Sequence, residues 1–147
     1  MASIAGFELD LSRRYAPAED LWLTEMSEGV VRIGLDPLGA QSAGDLIAVS
    51  FAAVGAELAA GETFATIEAA KFVGPLRAPV AGAITAVNAN AWRAPARISA
   101  DPLGVWLVEL RNVGQDALDA LLYGEPAVRP WFESAVARAR SEGVLAE

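Results

Sequence analysis

Phe64-Ala-Thr-Ile-Glu-Ala-Ala-Lys-Phe-Val-Gly-Pro-Leu-Arg-Ala-Pro-Val-Ala-Gly82 is the stretch on which the reading of the fold turns. An apolar segment rises to Ile67, Glu68 leads into the small residues Ala69 and Ala70, and Lys71 follows. The next sharp punctuation is Gly74-Pro75, after which the chain resumes toward Pro79-Val-Ala-Gly82. Apolar runs bounded by Gly and Pro read as strands joined by turns. The spacing therefore predicts a hairpin that displays Lys71 near its tip with the stem in water. Spacing alone is equally compatible with a solvated lysine that has no task.

The flanking sequence repeats the pattern. Val30-Val-Arg-Ile-Gly34, Leu46-Ile-Ala-Val-Ser-Phe51, Ala83-Ile-Thr-Ala-Val87 and Val105-Trp-Leu-Val-Glu-Leu110 are short β-prone runs. Val54 to Gly61 reads as a loop with glycine near both ends. Runs at this spacing predict a sandwich or barrel of small sheets. No segment with a helix-length amphipathic pattern is legible between Val30 and Leu110, which argues against a βαβ sheet. The last third changes character. Leu118, Leu121 and Leu122 share one helical face, with Gly124 and Pro126 as the stop. A second helix is expected from Pro130, with Phe132, Val136 and Ala139 as its stripe and Gly143 as its cap. The expectation is one domain over 1–147, with a β core at about 13–111 and C-terminal helices at about 115–142.

Composition narrows the function. The 147 residues are 54% hydrophobic and 20% charged, which excludes a disordered chain. There is no cysteine and no histidine, so disulfides, a thiolate nucleophile, a Ser-His pair and an ordinary zinc site are excluded. No two carboxylates are placed convincingly for acid–base work. A net charge of −8 opposes phosphate backbones, so no nucleic-acid partner is expected. No apolar run approaches the ~18–20 residues of a membrane span. The first ten residues lack a basic segment followed by an apolar one. A soluble, cytoplasmic protein is expected.

All but one of the eleven basic residues are arginine, and the exception is Lys71. Compositional drift can leave one lysine by chance. A guanidinium, however, replaces an ammonium as a charge and not as an acylatable primary amine. Lys71 is therefore the candidate for covalent modification.

The residues around it resemble the lipoyl-attachment region of glycine cleavage system H proteins. Ile67-Glu68-Ala69-Ala70-Lys71, then Ala78-Pro79-Val80-Ala81-Gly82 and Val87-Asn88, align without a gap to that family's Glu-Ser-Val-Lys, Ser/Ala-Pro-Val-Ser-Gly and Val-Asn. Tyr15, Trp22, Val31-Arg-Ile-Gly-Leu35, Gly44-Asp45, Val54-Gly55, Gly61-Glu62 and Asp101-Pro-Leu-Gly104 with Trp106-Leu107 fall at its other motifs, so the similarity covers about residues 13–123. The resemblance implies a mainly β fold, a flattened lipoyl/biotinyl-type barrel-sandwich hybrid with C-terminal helices. It implies a non-catalytic carrier with lipoate in amide linkage on Lys71, as a swinging arm. Glu68, Ala70 and Phe72 form the hairpin surroundings. The implied partners are a lipoate-protein ligase or lipoyl transferase, with glycine decarboxylase, aminomethyltransferase and dihydrolipoyl dehydrogenase as clients. The chain departs from the family in four places. Asp20 and Leu21 stand for the His and second Glu of its Glu-His-Glu-Trp, Ala69-Ala70 for Ser-Val, and Phe72-Val73-Gly74-Pro75 for a small polar segment. H-like lipoate-binding proteins that serve a heterodisulfide reductase-like complex in sulfur oxidation are a second home for such a sequence. A biotin carrier is disfavoured, because Ala70 and Phe72 stand where such carriers usually place methionines. An unmodified binding scaffold is the reading from another class.

Overall fold

A computed structural model describes residues 1–145 of the chain. Its strands are β1 (Ala2–Ile4), β2 (Phe7–Leu9), β3 (Arg14–Ala16), β4 (Leu21–Ser27), β5 (Val30–Leu35), β6 (Leu46–Phe51), β7 (Glu57–Leu58), β8 (Thr63–Ala69), β9 (Val73–Arg77), β10 (Gly82–Val87), β11 (Val108–Arg111) and β12 (Leu122–Tyr123). Its helices are α1 (Pro37–Ala43), α2 (Ala89–Arg93), α3 (Ala96–Ala100), α4 (Gln115–Asp119) and α5 (Glu125–Ser141). The strands form a seven-stranded sheet in the order β12-β3-β4-β5-β11-β10-β7, a three-stranded sheet β6-β8-β9 and the β1-β2 hairpin. Every pairing is antiparallel. The mainly β barrel-sandwich architecture with C-terminal helices is thus the observed fold.

Alternation builds the core. In β8, Phe64, Ile67 and Ala69 are buried while Thr66 and Glu68 face water. An irregularity between Thr63 and Ala65 in the β8–β9 register lets Phe64 and Ala65 both turn inward. These residues join Leu23, Ile33, Ile84 and Leu110 of the larger sheet in one buried cluster. A second cluster lies outside that sandwich. There Ile4 and Leu9 of the N-terminal hairpin meet Val128, Phe132 and Val136 of α5, with Tyr15, Trp22 and Leu38 beneath. Phe7 and Phe132 pack edge to face at 5.5 Å. Trp22 lies against Gly34, where an added Cβ would fall 2.3 Å from the indole. Its Nε1 donates to the Pro102 carbonyl at 2.9 Å.

Several local expectations are corrected. Three helices, α1 to α3, do interrupt the strands, but they are only five to seven residues long, too short to print a periodicity. The helix expected over 115–122 stops at Asp119, because Leu122 and Tyr123 pair with Tyr15 and Arg14 instead. The final helix starts at Glu125, so Pro126 opens it rather than stopping its predecessor, and Pro130 lies in its interior. Gly74 and Pro75 are not the turn. They lie within β9, an edge strand, where a missing N–H is tolerated. Gly143 caps α5 as expected: at φ +74° its N–H donates to Arg140 and that of Val144 to Ala139, the paired bonds of a Schellman motif.

Phe132 is fully buried and touches both the hairpin and Trp131. Phe132→Ala is expected to lower the unfolding free energy by roughly 3–5 kcal/mol, read by urea denaturation.

Candidate functional site

Lys71 occupies the reversal between β8 and β9. Glu68 pairs with Val73, and the Ala69 N–H donates to the Phe72 carbonyl at 2.8 Å, closing the turn around Ala70 and Lys71. Two more backbone bonds tie this turn to the end of α1 and the residues that follow it: Lys71 N–H to Ala43 O at 2.8 Å, and Ala70 N–H to Asp45 O at 3.0 Å. The approach is possible because Gly44, at φ +79° and ψ −167°, has no side chain. A Cβ there would lie 3.2 Å from the Ala70 Cβ and 3.4 Å from the Lys71 Cγ. The lysine side chain stays exposed and makes no ion pair with the described residues.

The other residues singled out by sequence divide around this turn. Glu68 is exposed on the outer side of the three-stranded sheet, with its Ala48 and Val73 neighbours. Ala70 packs toward Gly44. Phe72 is 42% exposed, and its ring folds over Gly74, where an added Cβ would meet the Cζ at 3.0 Å.

Phe72 and Lys71 line one side of a cleft of about 410 Å³, together with Ile67, Pro75, Leu76 and Arg77. The opposite side is built by Ala18, Glu19 and Asp20, by Leu35, Gly39, Ser42 and Ala43, and by Val144 after α5. Sequence reading did not assemble this cleft, whose walls come from four distant parts of the chain. One signal was available: Asp36-Pro37 is a helix-start signature. Asp36 is fully buried, and its Oδ1 accepts from the Gly39 N–H at 2.7 Å as the cap of α1. Its Oδ2 has no hydrogen-bond partner among the described residues. Burial, then the nearby Asp20 carboxylate, push the Asp36 carboxyl up to about 7, against the lowering effect of the Gly39 and Leu38 N–H groups. Asp20 opens onto the cleft, yet the surrounding protein withdraws it enough from bulk water to raise its pKa, and Glu19 adds to the shift. Asp20 adopts φ +57° and hands its carbonyl to the Asp36 N–H at 2.9 Å. Its Cβ fills the space a side chain at Gly39 would take.

Fold and site together define a β barrel-sandwich domain that presents the chain's one lysine side chain on a fixed turn. Comparison with known proteins gives the family. The profile "Glycine cleavage H-protein" matches residues 13–131. Proteins named "Glycine cleavage system H protein" from Mycobacterium leprae and Mycobacterium avium are 37% and 35% identical over 106 residues, 71% of this chain and 80% of each relative. A crystal structure of a glycine cleavage system H protein from Mycobacterium marinum superposes with a TM-score of 0.67 at 30% identity, covering 92% of this chain and 99% of that one. The chain belongs to the glycine cleavage H-protein family, a family of lipoyl carriers.

Two outcomes test the geometry. Gly44→Ala places a side chain in a backbone region that non-glycine residues occupy at about 1–3 kcal/mol, and it pushes on Ala70. It is expected to destabilise the chain and to speed hydrogen exchange of the Lys71 amide. The second concerns Asp36. Its folded pKa lies above the unfolded value of 3.8, so the native state holds a proton that the unfolded chain releases. Stability from this group is full below pH ~4 and is lost as pH rises to ~7, by an amount on the order of 4 kcal/mol for a shift of about three units. Asp36→Asn keeps an acceptor for Gly39. It should flatten the loss between about pH 4.5 and 7.5 and make the variant the more stable protein at pH 8, measured by urea denaturation across pH.

Proposed function

We propose that Lys71 carries lipoate in amide linkage and that the chain, residues 1–147 acting as one domain, is a non-catalytic cytoplasmic carrier in glycine cleavage. Its clients in this reading are glycine decarboxylase, aminomethyltransferase and dihydrolipoyl dehydrogenase, and a lipoate-protein ligase or lipoyl transferase modifies it. The observation that carries the reading is that the chain's only lysine stands exposed on a turn held by three backbone hydrogen bonds. The names of the relatives favour glycine cleavage over a heterodisulfide reductase-like complex in sulfur oxidation.

The residues present fit the group. The amine is accessible, and the adjoining cleft, at about 410 Å³, falls in the roughly 300–1,000 Å³ range of small-molecule pockets. Ile67, Phe72, Leu76 and Val144 give it apolar walls on which an acyl stem can lie, while Glu19, Asp20 and Arg77 supply polar groups. When bound, lipoate supplies a disulfide that can be reduced and reoxidised. The chain's own part is positional. The tied turn fixes where the stem begins, and Phe72 covers Gly74 to close that side of the cleft. Glu68 holds a negative charge three residues before the lysine, on the other face of the sheet.

Intact-mass spectrometry tests the reading on chain made in cells supplied with lipoate. One lipoyl mass on the native chain and none on Lys71→Arg is expected, with the melting temperature nearly unchanged because the side chain is exposed. A biotinyl mass, no addition, or a lipoyl group persisting on the variant overturns it.

A further inference from the structure

The turn that holds Lys71 has a second side, away from the cleft. On it the residues directly paired across the three-stranded sheet form a row, Ala48–Glu68–Val73, and all three are exposed. A register shift between Leu46 and Ala48 in β6 places one extra residue opposite Glu68, so Ile47 and Ala48 both stand in solvent. The result is an isoleucine 60% exposed and a valine 71% exposed on either side of the strand that leads to the lysine. In the next row Ser50 and Thr66 are small and uncharged, so Glu68 is the ionisable side chain of the two rows nearest the turn, with Arg77 farther along β9 opposite Thr63.

We propose that this outer face, centred on Ile47 and Val73, is the docking surface for the enzyme that acylates Lys71. The inference rests on the reading of Lys71 as the modified residue. Acylation forms an amide between the Lys71 Nζ and the acyl carbon of an activated acyl group. The activating group leaves with the electron pair of the broken bond, and the amine gives up a proton. Before this step the amine lies at the end of its own four-carbon stem. The Lys71 backbone is held by Ala43 and cannot bend toward a distant active site. The acylating enzyme must therefore come within one side-chain length of the turn and cover its flanks. Enzymes that use the finished group meet an arm lengthened by the acyl chain, and can work from farther away. The acylating enzyme is the partner with the closest approach, which selects it as the occupant. Its complementary surface is an apolar patch with basic side chains at the border, to meet Glu68 and a chain of net charge −8.

The test uses the unmodified full chain with a lipoate-protein ligase, lipoate and ATP, and follows the lipoyl mass over time at several chain concentrations. Ile47→Asp with Val73→Asp is expected to lower kcat/KM at least tenfold, mainly through KM, with the melting temperature little changed. Val54→Asp, at another exposed apolar side chain, serves as the control and is expected to be acylated like the native chain. If the double Asp variant loses stability, Ile47→Thr with Val73→Thr keeps strand-compatible shapes, and a loss of about threefold or more is expected. Acylation of these variants at the native rate overturns the proposal. So does native-rate acylation combined with slower turnover of client enzymes, which would assign the face to the clients. A native chain that takes no lipoyl group at Lys71 refutes the parent reading instead, and is distinguishable because it needs no variant.

Discussion

The hydrogen bond from the Lys71 N–H to the Ala43 carbonyl, 2.8 Å long, joins the strand turn to the end of α1 and organises the region around the lysine. A turn closed only by Ala69 and Phe72 would be free to swing on β8 and β9. The bonds to Ala43 and Asp45 convert it into a fixed platform. Ordering a backbone residue costs about 1–2 kcal/mol, and here that cost is met once, on folding, and not at each encounter with an enzyme. The contact makes demands elsewhere. Gly44 must lack a side chain, and α1 must be capped at its far end, where Asp36 sits fully buried.

The cleft depends on elements that lie far from the lysine in sequence. The family match ends at residue 131, while α5 runs to Ser141 and its Schellman turn carries Val144 to the cleft rim and Leu145 into the second buried cluster. The same cluster takes Ile4 and Leu9 from the hairpin that precedes residue 13. The two ends of the described chain, both outside the matched region, therefore pack on one another and brace a wall of the cleft. Phe132, edge to face with Phe7, belongs to that packing together with Val128 and Val136.

The fold was legible where one physical signal dominated. The runs at 30–34, 46–51, 63–67 and 83–87 alternate or cluster β-branched residues and became strands. The signals failed where two were superimposed. Gly74-Pro75 has the chemistry of a turn, but Pro75 pairs with Thr66 on an edge strand, and the reversal falls at Ala70-Lys71, which has no turn composition at all. Backbone bonds to α1 hold it there, and such long-range bonds leave no local trace. Pro126 and Pro130 likewise read as punctuation between two helices, whereas one helix contains both. At the site, the lone amine was visible by counting. The cleft beside it was not, because Asp20, Gly39, Leu76 and Val144 meet only in three dimensions.

The absence of histidine gives the Asp36 carboxyl a meaning that composition alone would miss. Imidazole is the side chain whose unperturbed charge change lies between pH 5 and 8, and this chain has none. Burial, and then the Asp20 carboxylate, move a carboxyl into that interval instead, against the lowering effect of the Gly39 and Leu38 N–H groups. Below that interval the proton on the carboxyl removes a buried charge, and α1 keeps its cap through the remaining oxygen. Above it the charge remains, faced by Asp20 across the end of the same helix. A serine or asparagine would cap α1 without either liability. The penalty thus falls on the helix whose other end carries the Ala43 carbonyl that accepts from the Lys71 N–H.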